Sequence, residues 1–388
     1  MEAIAVSSEV FVLRDDLYIP VVILGSISSF LSLAGSSCLI YMSRRKLDKV
    51  MHRLVFGLSV ADWFSSAACF IMPFLLPSFL GLPGASGNFA SCSAVAFFFH
   101  GFILVSAIYN LFLSLYFVLI VVKNWKERPS KISPVEALAH AVAILVSISI
   151  MGVAVATDSF NPSPLVSNLC TFSTWPWTCD KDESLECERS SAKTVRALLI
   201  ARETVTCVVS ALSFLGTFLV WYTVRRTFQR SSSYQFASDR SSPGSSDKRL
   251  HDVKIQSILY SLAYLNTFFW PTFGIVYAFI RPPQEIIESK DNTGFYILQL
   301  FYWALCPLQG FFNFFIYTRL KVKRWRKAEP ERSRLSIYVE IVKNNENPPQ
   351  QRSTTFSSKK PTVVHDNSAV GDENIKSPHE QSEEAGGT

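Results

Sequence analysis

Residues 295–317 read FYILQLFYWALCPLQGFFNFFIY, 23 positions without one Asp, Glu, Lys or Arg. An α-helix rises about 1.5 Å per residue, so a run of this length spans the roughly 30 Å of a bilayer's hydrocarbon core. Six earlier runs have the same character: Leu17–Tyr41, Leu54–Pro77, Ala94–Val122, Ala137–Thr157, Thr204–Tyr222 and Ser257–Ile280. Asp62, in the second, is the only Asp, Glu, Lys or Arg in any of the seven. Lipid offers backbone amides no hydrogen-bond partner, so each run has to satisfy its own. The expected fold class is an all-α membrane protein, a bundle of seven transmembrane helices. An odd number of crossings puts the termini on opposite sides.

Loop charge orients the bundle. Segments 42–53, 123–133, 225–256 and 319–327 hold 22 Lys and Arg, against 7 in segments 1–16, 78–91, 158–196 and 281–294. Basic residues stay on the cytoplasmic side, so the N-terminus is expected outside and the C-terminus inside. Residues 1–16 show no basic stretch followed by an apolar one, so the first span is expected to act as its own export signal. The net charge of +6 sits mostly in the inner loops, beside anionic lipid head groups. Nucleic acid is therefore not an expected partner; the lipid membrane is. The 31 Phe, 13 Tyr and 8 Trp suit lipid-facing surfaces and interfacial belts.

The chain divides into a short outer N-terminus (1–16), a membrane domain (17–318), a juxtamembrane stretch (319–327) and a tail (328–388). The stretch RLKVKRWRK at 319–327 alternates cations with Leu320, Val322 and Trp325. It is expected as an amphipathic helix lying on the inner leaflet, or as a stop-transfer cluster. The tail is rich in Ser, Pro, Glu, Lys and Asn, with Tyr338 and Phe356 its only Phe, Trp or Tyr. Such a composition buries too little apolar surface to offset ordering, so disorder is expected. Ser and Thr lie near basic residues there, as in Arg332-Ser-Arg-Leu-Ser336, where phosphorylation would add charge.

Cys38, Cys69, Cys207 and Cys306 fall within spans and read as small packing residues. Cys92, Cys170, Cys179 and Cys187 fall on the expected outer side, where disulfides persist. Their spacing matches no common zinc pattern, so no metal is expected.

The seventh run carries the functional signal. Stepping back from Tyr317 by four and three gives Asn313, Gly310, Cys306, Trp303, Gln299 and Tyr296, one helical stripe of polar and small groups that should face the bundle interior. Pro307 breaks the ladder beside it. A carboxylate in mid-span is costly and marks a switch, proton or ion site, which singles out Asp62. Asn110 and Asn313 are its natural partners. In the third run, Cys92, Ala96, Phe99, Ile103, Ser106 and Asn110 share one face.

These features resemble a G-protein-coupled receptor over about residues 17–327. Leu58-Ser-Val-Ala-Asp62 resembles the buried acidic motif of the second span. Trp270-Pro271 resembles the Trp and Pro of the sixth, and Asn313-Phe-Phe-Ile-Tyr317 has the Asn and Tyr spacing of the seventh but lacks its Pro. Pro307–Tyr317 as a whole resembles the cyclic-AMP-receptor-like (class E) group of non-animal eukaryotes. The acidic-Arg-Tyr motif of rhodopsin-like receptors is missing: the third span ends Ile120-Val-Val-Lys-Asn-Trp-Lys126.

The resemblance implies a cell-surface receptor, multi-pass in the plasma membrane, that binds an extracellular ligand and activates a heterotrimeric G protein. Kinases and arrestin-like proteins would act at its tail. It implies switch residues Asp62, Asn110, Trp270, Pro307, Asn313 and Tyr317. A ligand site lies toward the outer side, with Phe99, Ile103, Tyr296, Gln299 and Trp303 from the inward stripes. Arg202 and Glu203 stand where the fifth helix enters the membrane, there either to pair with other charges, to snorkel to the interface or to meet a ligand; a functional Arg202 would favour an anionic ligand. The family's bridge from the third span to the outer loop implies Cys92–Cys170, leaving Cys179–Cys187; Cys92–Cys179 with Cys170–Cys187 stays sterically open.

Enzymatic readings find little. No paired acidic motif of an intramembrane protease is present, and His100 and His140 stand isolated. The seventh run has no Lys, which excludes a retinal Schiff base there; no cofactor is expected. A membrane transporter of a small solute is the rival reading, although no inverted repeat or pair of broken helices supports it.

Overall fold

Long apolar sequences fold as helices in lipid because each turn closes its own hydrogen bonds, even with Pro20 inside the first helix and Pro73 inside the second. The computed structural model describes residues 15–123, 125, 134–163, 169–176, 179, 185–235, 245–280 and 293–344. All lie in one unit, Met1–Pro348. The helices are α1 (Asp15–Ser43), α2 (Val50–Leu75), α3 (Phe89–Val121), α4 (Pro134–Ala156), α5 (Ala192–Gln235) and α6 (Ser245–Ile280). The seventh run divides into α7 (Thr293–Leu305), a single 3-10 turn (Cys306–Leu308) and α8 (Gln309–Ala328). Stretches Tyr18–Lys46, Val50–Leu75, Phe89–Val121, Pro134–Ala156, Ala192–Thr227 and Ile297–Ala328 are long and apolar enough to cross a membrane, and α6 covers the sixth expected run. The chain is a multi-pass membrane protein. Its outward faces match: Phe30, Leu145 and Phe218 are more than half exposed.

Two departures from an uninterrupted all-α bundle follow from local chemistry. Strands β1 (Phe160–Pro162) and β2 (Cys170–Phe172) form an antiparallel hairpin, with Phe160 opposite Phe172. Phe160, Cys170 and Phe172 are buried at that end of the bundle, here termed the hairpin end. The opposite, basic end holds Arg44, Arg45, Lys46 and the Arg319–Lys327 cluster.

The second departure corrects the expected bounds of the 319–327 helix and the expected disorder over 334–344. Arg319–Lys327 forms no separate helix but continues α8 to Ala328, because nothing breaks the helix until Pro330 restricts the residue before it. Helix α9 (Arg334–Asn344) then forms inside the segment expected to be disordered. Ile337 and Ile341, one turn apart, are fully buried, and the Tyr338 ring lies 5.3 Å from that of Phe315. Averaged over the tail, composition hides this short amphipathic segment. Residues 1–14 and 345–388 lie outside the described residues.

The interior forms two layers. The basic-end cluster joins Leu39, Leu54, Leu58, Tyr109, Tyr264 and Tyr317. The hairpin-end cluster joins Val21, Met72, Cys92, Phe99, Phe160 and Trp303. Helix α3 begins at Asn88, whose side chain accepts from Ser91 N at 2.9 Å while Ser91 Oγ accepts from Asn88 N at 2.8 Å. This reciprocal cap fixes the turn that presents Cys92.

Cys92 bonds to Cys170, and Cys179 to Cys187. The first bridge ties residues 78 apart in sequence and the second ties residues 8 apart. On a chain-entropy account the longer loop is worth about 4.5 kcal/mol and the shorter about 2.5. Cys92→Ser is therefore expected to lower the melting temperature of the purified protein more than Cys187→Ser. The reverse order would contradict this assignment of roles.

At the basic end, Arg53 of α2 grips Glu136 in the first turn of α4. Arg53 Nε donates to Oε1 and Nη2 donates to Oε2 at 2.8 Å. Glu136 is 2% exposed. Glu136→Ala leaves the guanidinium with a lost partner in a mostly buried setting and is expected to cost about 3 kcal/mol. Arg53→Ala in the same chain should recover part of that loss; thermal denaturation of the two single variants and the double variant checks this.

Candidate functional site

Asp62 lies midway along α2, buried away from bulk solvent. It is 1% exposed, and each oxygen has a donor from another helix. Ser106 Oγ of α3 donates to Oδ1 at 2.6 Å, and Asn313 Nδ2 of α8 donates to Oδ2 at 2.8 Å. Hydrogen bonds to a carboxylate are among the stronger ones available. Three helices therefore meet on one side chain.

The expected trio is only partly assembled. Asn110 does not reach Asp62; its Nδ2 donates to Ser106 O at 3.0 Å. Ser106 stands one turn nearer the hairpin end, about 6 Å away along the helix, and that is the depth of the carboxylate. Asn110 instead lines a small cavity between α3, α5 and α6 with Ser114, Ser213, Ser257, Tyr260 and Tyr264. Ser213 Oγ and Ser257 Oγ lack hydrogen-bond partners among the described residues.

The break at Pro307 is braced from α1. Ser28 Oγ donates to Ala304 O at 2.8 Å, and Gly310 N donates to Ser32 Oγ at 3.1 Å. Ser66 Oγ of α2 donates to Ser32 Oγ at 2.9 Å. Side chains of neighbouring helices thus serve backbone groups that the interrupted ladder leaves free. From α6, Thr267 Oγ1 donates to Gln309 Oε1 at 2.6 Å. Tyr317 Oη lies 3.1 Å from His52 Nδ1, linking α8 to the start of α2. Trp270 stands apart from this network: its ring stacks on Phe301 at 4.7 Å, and Phe301 is 44% exposed.

The residues expected to line a ligand site surround the hairpin-end layer. Phe99 is 2% exposed, with its ring 5.0 Å from that of His100. Ile103 packs against the same cluster. Trp303 is 1% exposed and packs on Gly25, where a Cβ would come 3.0 Å from its ring. Gln299 lies one turn from Trp303 on α7. Arg202 Nη1 stands 3.1 Å from Glu203 Oε1, so the cation already has a counter-charge. The side chain of Tyr296 lies outside the described residues.

Several polar contacts were not legible in the sequence. His100, which had looked isolated, sits 3.2 Å from Cys170 O through Nε2 and stacks beside Phe160. It thereby anchors the hairpin. His140, likewise, meets Tyr109 Oη through Nδ1 at 2.5 Å. The serines of α1 gave a signal in their spacing, since Ser28, Ser32 and Ser36 recur every four residues. Among the described residues no group of three or more His, Cys, Asp or Glu is placed to hold a metal ion.

No family model and no curated protein matches the chain. Among solved structures, the crystal structure of squid rhodopsin is similar, with a TM-score of 0.55 and 15% identity. The match covers 79% of this chain and 82% of that one. At this identity the likeness is one of fold, and the chain has a rhodopsin-like helical bundle.

Proposed function

We propose that the chain is a plasma-membrane receptor that binds an extracellular ligand at its hairpin end and activates a heterotrimeric G protein at its basic end. The observation that carries this reading is the tie between Asp62, Ser106 and Asn313 beside the break at Pro307. It couples three helices of a rhodopsin-like bundle through one buried carboxylate. A shift of a few kcal/mol between two arrangements of such a tie changes which state is populated. The excess of Lys and Arg supports the basic end as cytoplasmic. The resemblance of Pro307–Tyr317 supports kinship with the cyclic-AMP-receptor-like group, which does not make cyclic AMP the ligand. Kinases and arrestin-like proteins are the further partners proposed for the tail.

A screen of candidate extracellular ligands against a cellular signalling readout tests the proposal, followed by vesicle uptake of each labelled hit. Ligand-dependent G-protein recruitment without uptake is the expected result. Uptake into vesicles with no recruitment would instead make the chain a transporter.

A further inference from the structure

Charge at the hairpin end of the bundle is internally balanced. Among the described residues the buried Asp, Glu, Lys and Arg are Asp62, Glu136 and Arg202. Asp62 belongs to the mid-bundle cluster and Glu136 to the ion pair at the basic end. Arg202, the one left at the hairpin end, is neutralised by Glu203. An anion arriving there would have to compete with a carboxylate already in place.

Polar capacity remains unused nearby. Tyr18 Oη, Gln299 Oε1 and Trp303 Nε1 are buried and have no hydrogen-bond partner among the described residues. Tyr18 is 2% and Trp303 1% exposed. Helical spacing puts Gln299 on the face of α7 that carries Trp303, and Tyr18 on the face of α1 that carries Gly25. Trp303 packs on Gly25 and shares a core cluster with Val21. Both helices run from the hairpin end, so Gln299 lies about 6 Å from Trp303 and Tyr18 about 10 Å from Gly25 in the same direction. Buried polar atoms are normally satisfied, and those that are not call for a reason.

Resting on the receptor reading above, we infer that the ligand is an uncharged molecule with at least one N–H or O–H donor and one acceptor, whose polar group bridges Gln299 and Trp303. Trp303 Nε1 only donates and so needs an acceptor. Gln299 Oε1 only accepts and so needs a donor; Tyr18 Oη takes either role. A carboxylate or phosphate dianion brings no donor for Gln299 Oε1 and adds a negative charge that Arg202, already paired with Glu203, does not balance. An ammonium brings no acceptor for Trp303 and adds a charge that the site does not balance. Val21, Met72 and Phe99 offer the apolar body of such a ligand its surroundings.

The test is thermal melting of the full chain in lipid nanodiscs with three matched probe pairs at equal millimolar concentration. These are benzamide and naphthamide, benzoate and naphthoate, and benzylamine and naphthylmethylamine. The amides are expected to raise the melting temperature by a few degrees and the charged probes not to. The amide shift should vanish in Gln299→Leu, whose own melting temperature without probe should equal or exceed that of the parent. Trp303→Phe should also abolish the shift; if it folds poorly, Gln299→Leu decides alone. Stabilisation by a carboxylate or amine at least equal to the amides would overturn the inference. So would no amide shift, a shift that survives Gln299→Leu, or a fall in that variant's unliganded melting temperature. None of these outcomes touches the receptor reading, which is judged by G-protein recruitment.

Discussion

Replacing Gly310 by valine is expected to destroy the bundle's closure. A Cβ at this position would lie 1.9 Å from Ser36 Oγ and 2.9 Å from the Ser32 backbone oxygen. Ser36 Oγ has no hydrogen-bond partner among the described residues, so that hydroxyl can rotate away, but the backbone oxygen cannot. The opposing Gly35 is as tight, its Cβ position 2.8 Å from Gly310 O. Small residues here let α1 and α8 approach at backbone distance, the usual device of membrane helix pairs. Valine would push the helices apart and break the Gly310–Ser32 hydrogen bond. The expected cost is about 3 kcal/mol or more, and about 1–2 kcal/mol for alanine. Melting temperature and monodispersity in detergent check it. A Gly310→Val protein that melts like the parent would show that the seam is not needed.

Asp62→Asn is expected to change signalling far more than expression. The amide keeps the shape of the carboxylate and can still accept from Asn313 while donating to Ser106. What it loses is the charge that strengthens both hydrogen bonds, worth about 1–3 kcal/mol. A difference of about 1.4 kcal/mol between inactive and active arrangements is a tenfold change in their ratio. Basal activity or ligand potency should therefore move by tenfold or more at near-normal surface expression. Asp62→Leu, which leaves Ser106 and Asn313 without their acceptor, should also lower expression. Normal signalling by Asp62→Asn across ligand concentrations would remove the carboxylate from the switch.

The sequence was most legible where its signal is local. Run length and hydropathy located the helices, and Pro307 marked the break in the seventh. The pairing Cys92–Cys170 followed from a resemblance in the flanking residues. Asp62 announced itself because a lone carboxylate in an apolar run is costly wherever it sits, and Asn313 was correctly placed beside it. Ser106 rather than Asn110 as the third member depends on relative helix depth, which one-dimensional spacing does not contain. Arg53–Glu136 was hidden for a similar reason: each residue reads as a loop charge until α2 and α4 are set side by side. Helix α9 was lost by averaging composition over a tail six times its length, roughly, when its apolar residues cluster in 11 positions. At the hairpin end, the choice between a paired and a ligand-binding Arg202 depended on where the Glu203 side chain turns, and it turns to Arg202.

Removal of every Gα subunit from a cell that expresses the chain tests the central claim most directly. With a ligand from the screen in hand, the proposed receptor should lose its signalling response in those cells and regain it when one coupling Gα is restored. A ligand response of unchanged size in the absence of all Gα subunits would contradict the account.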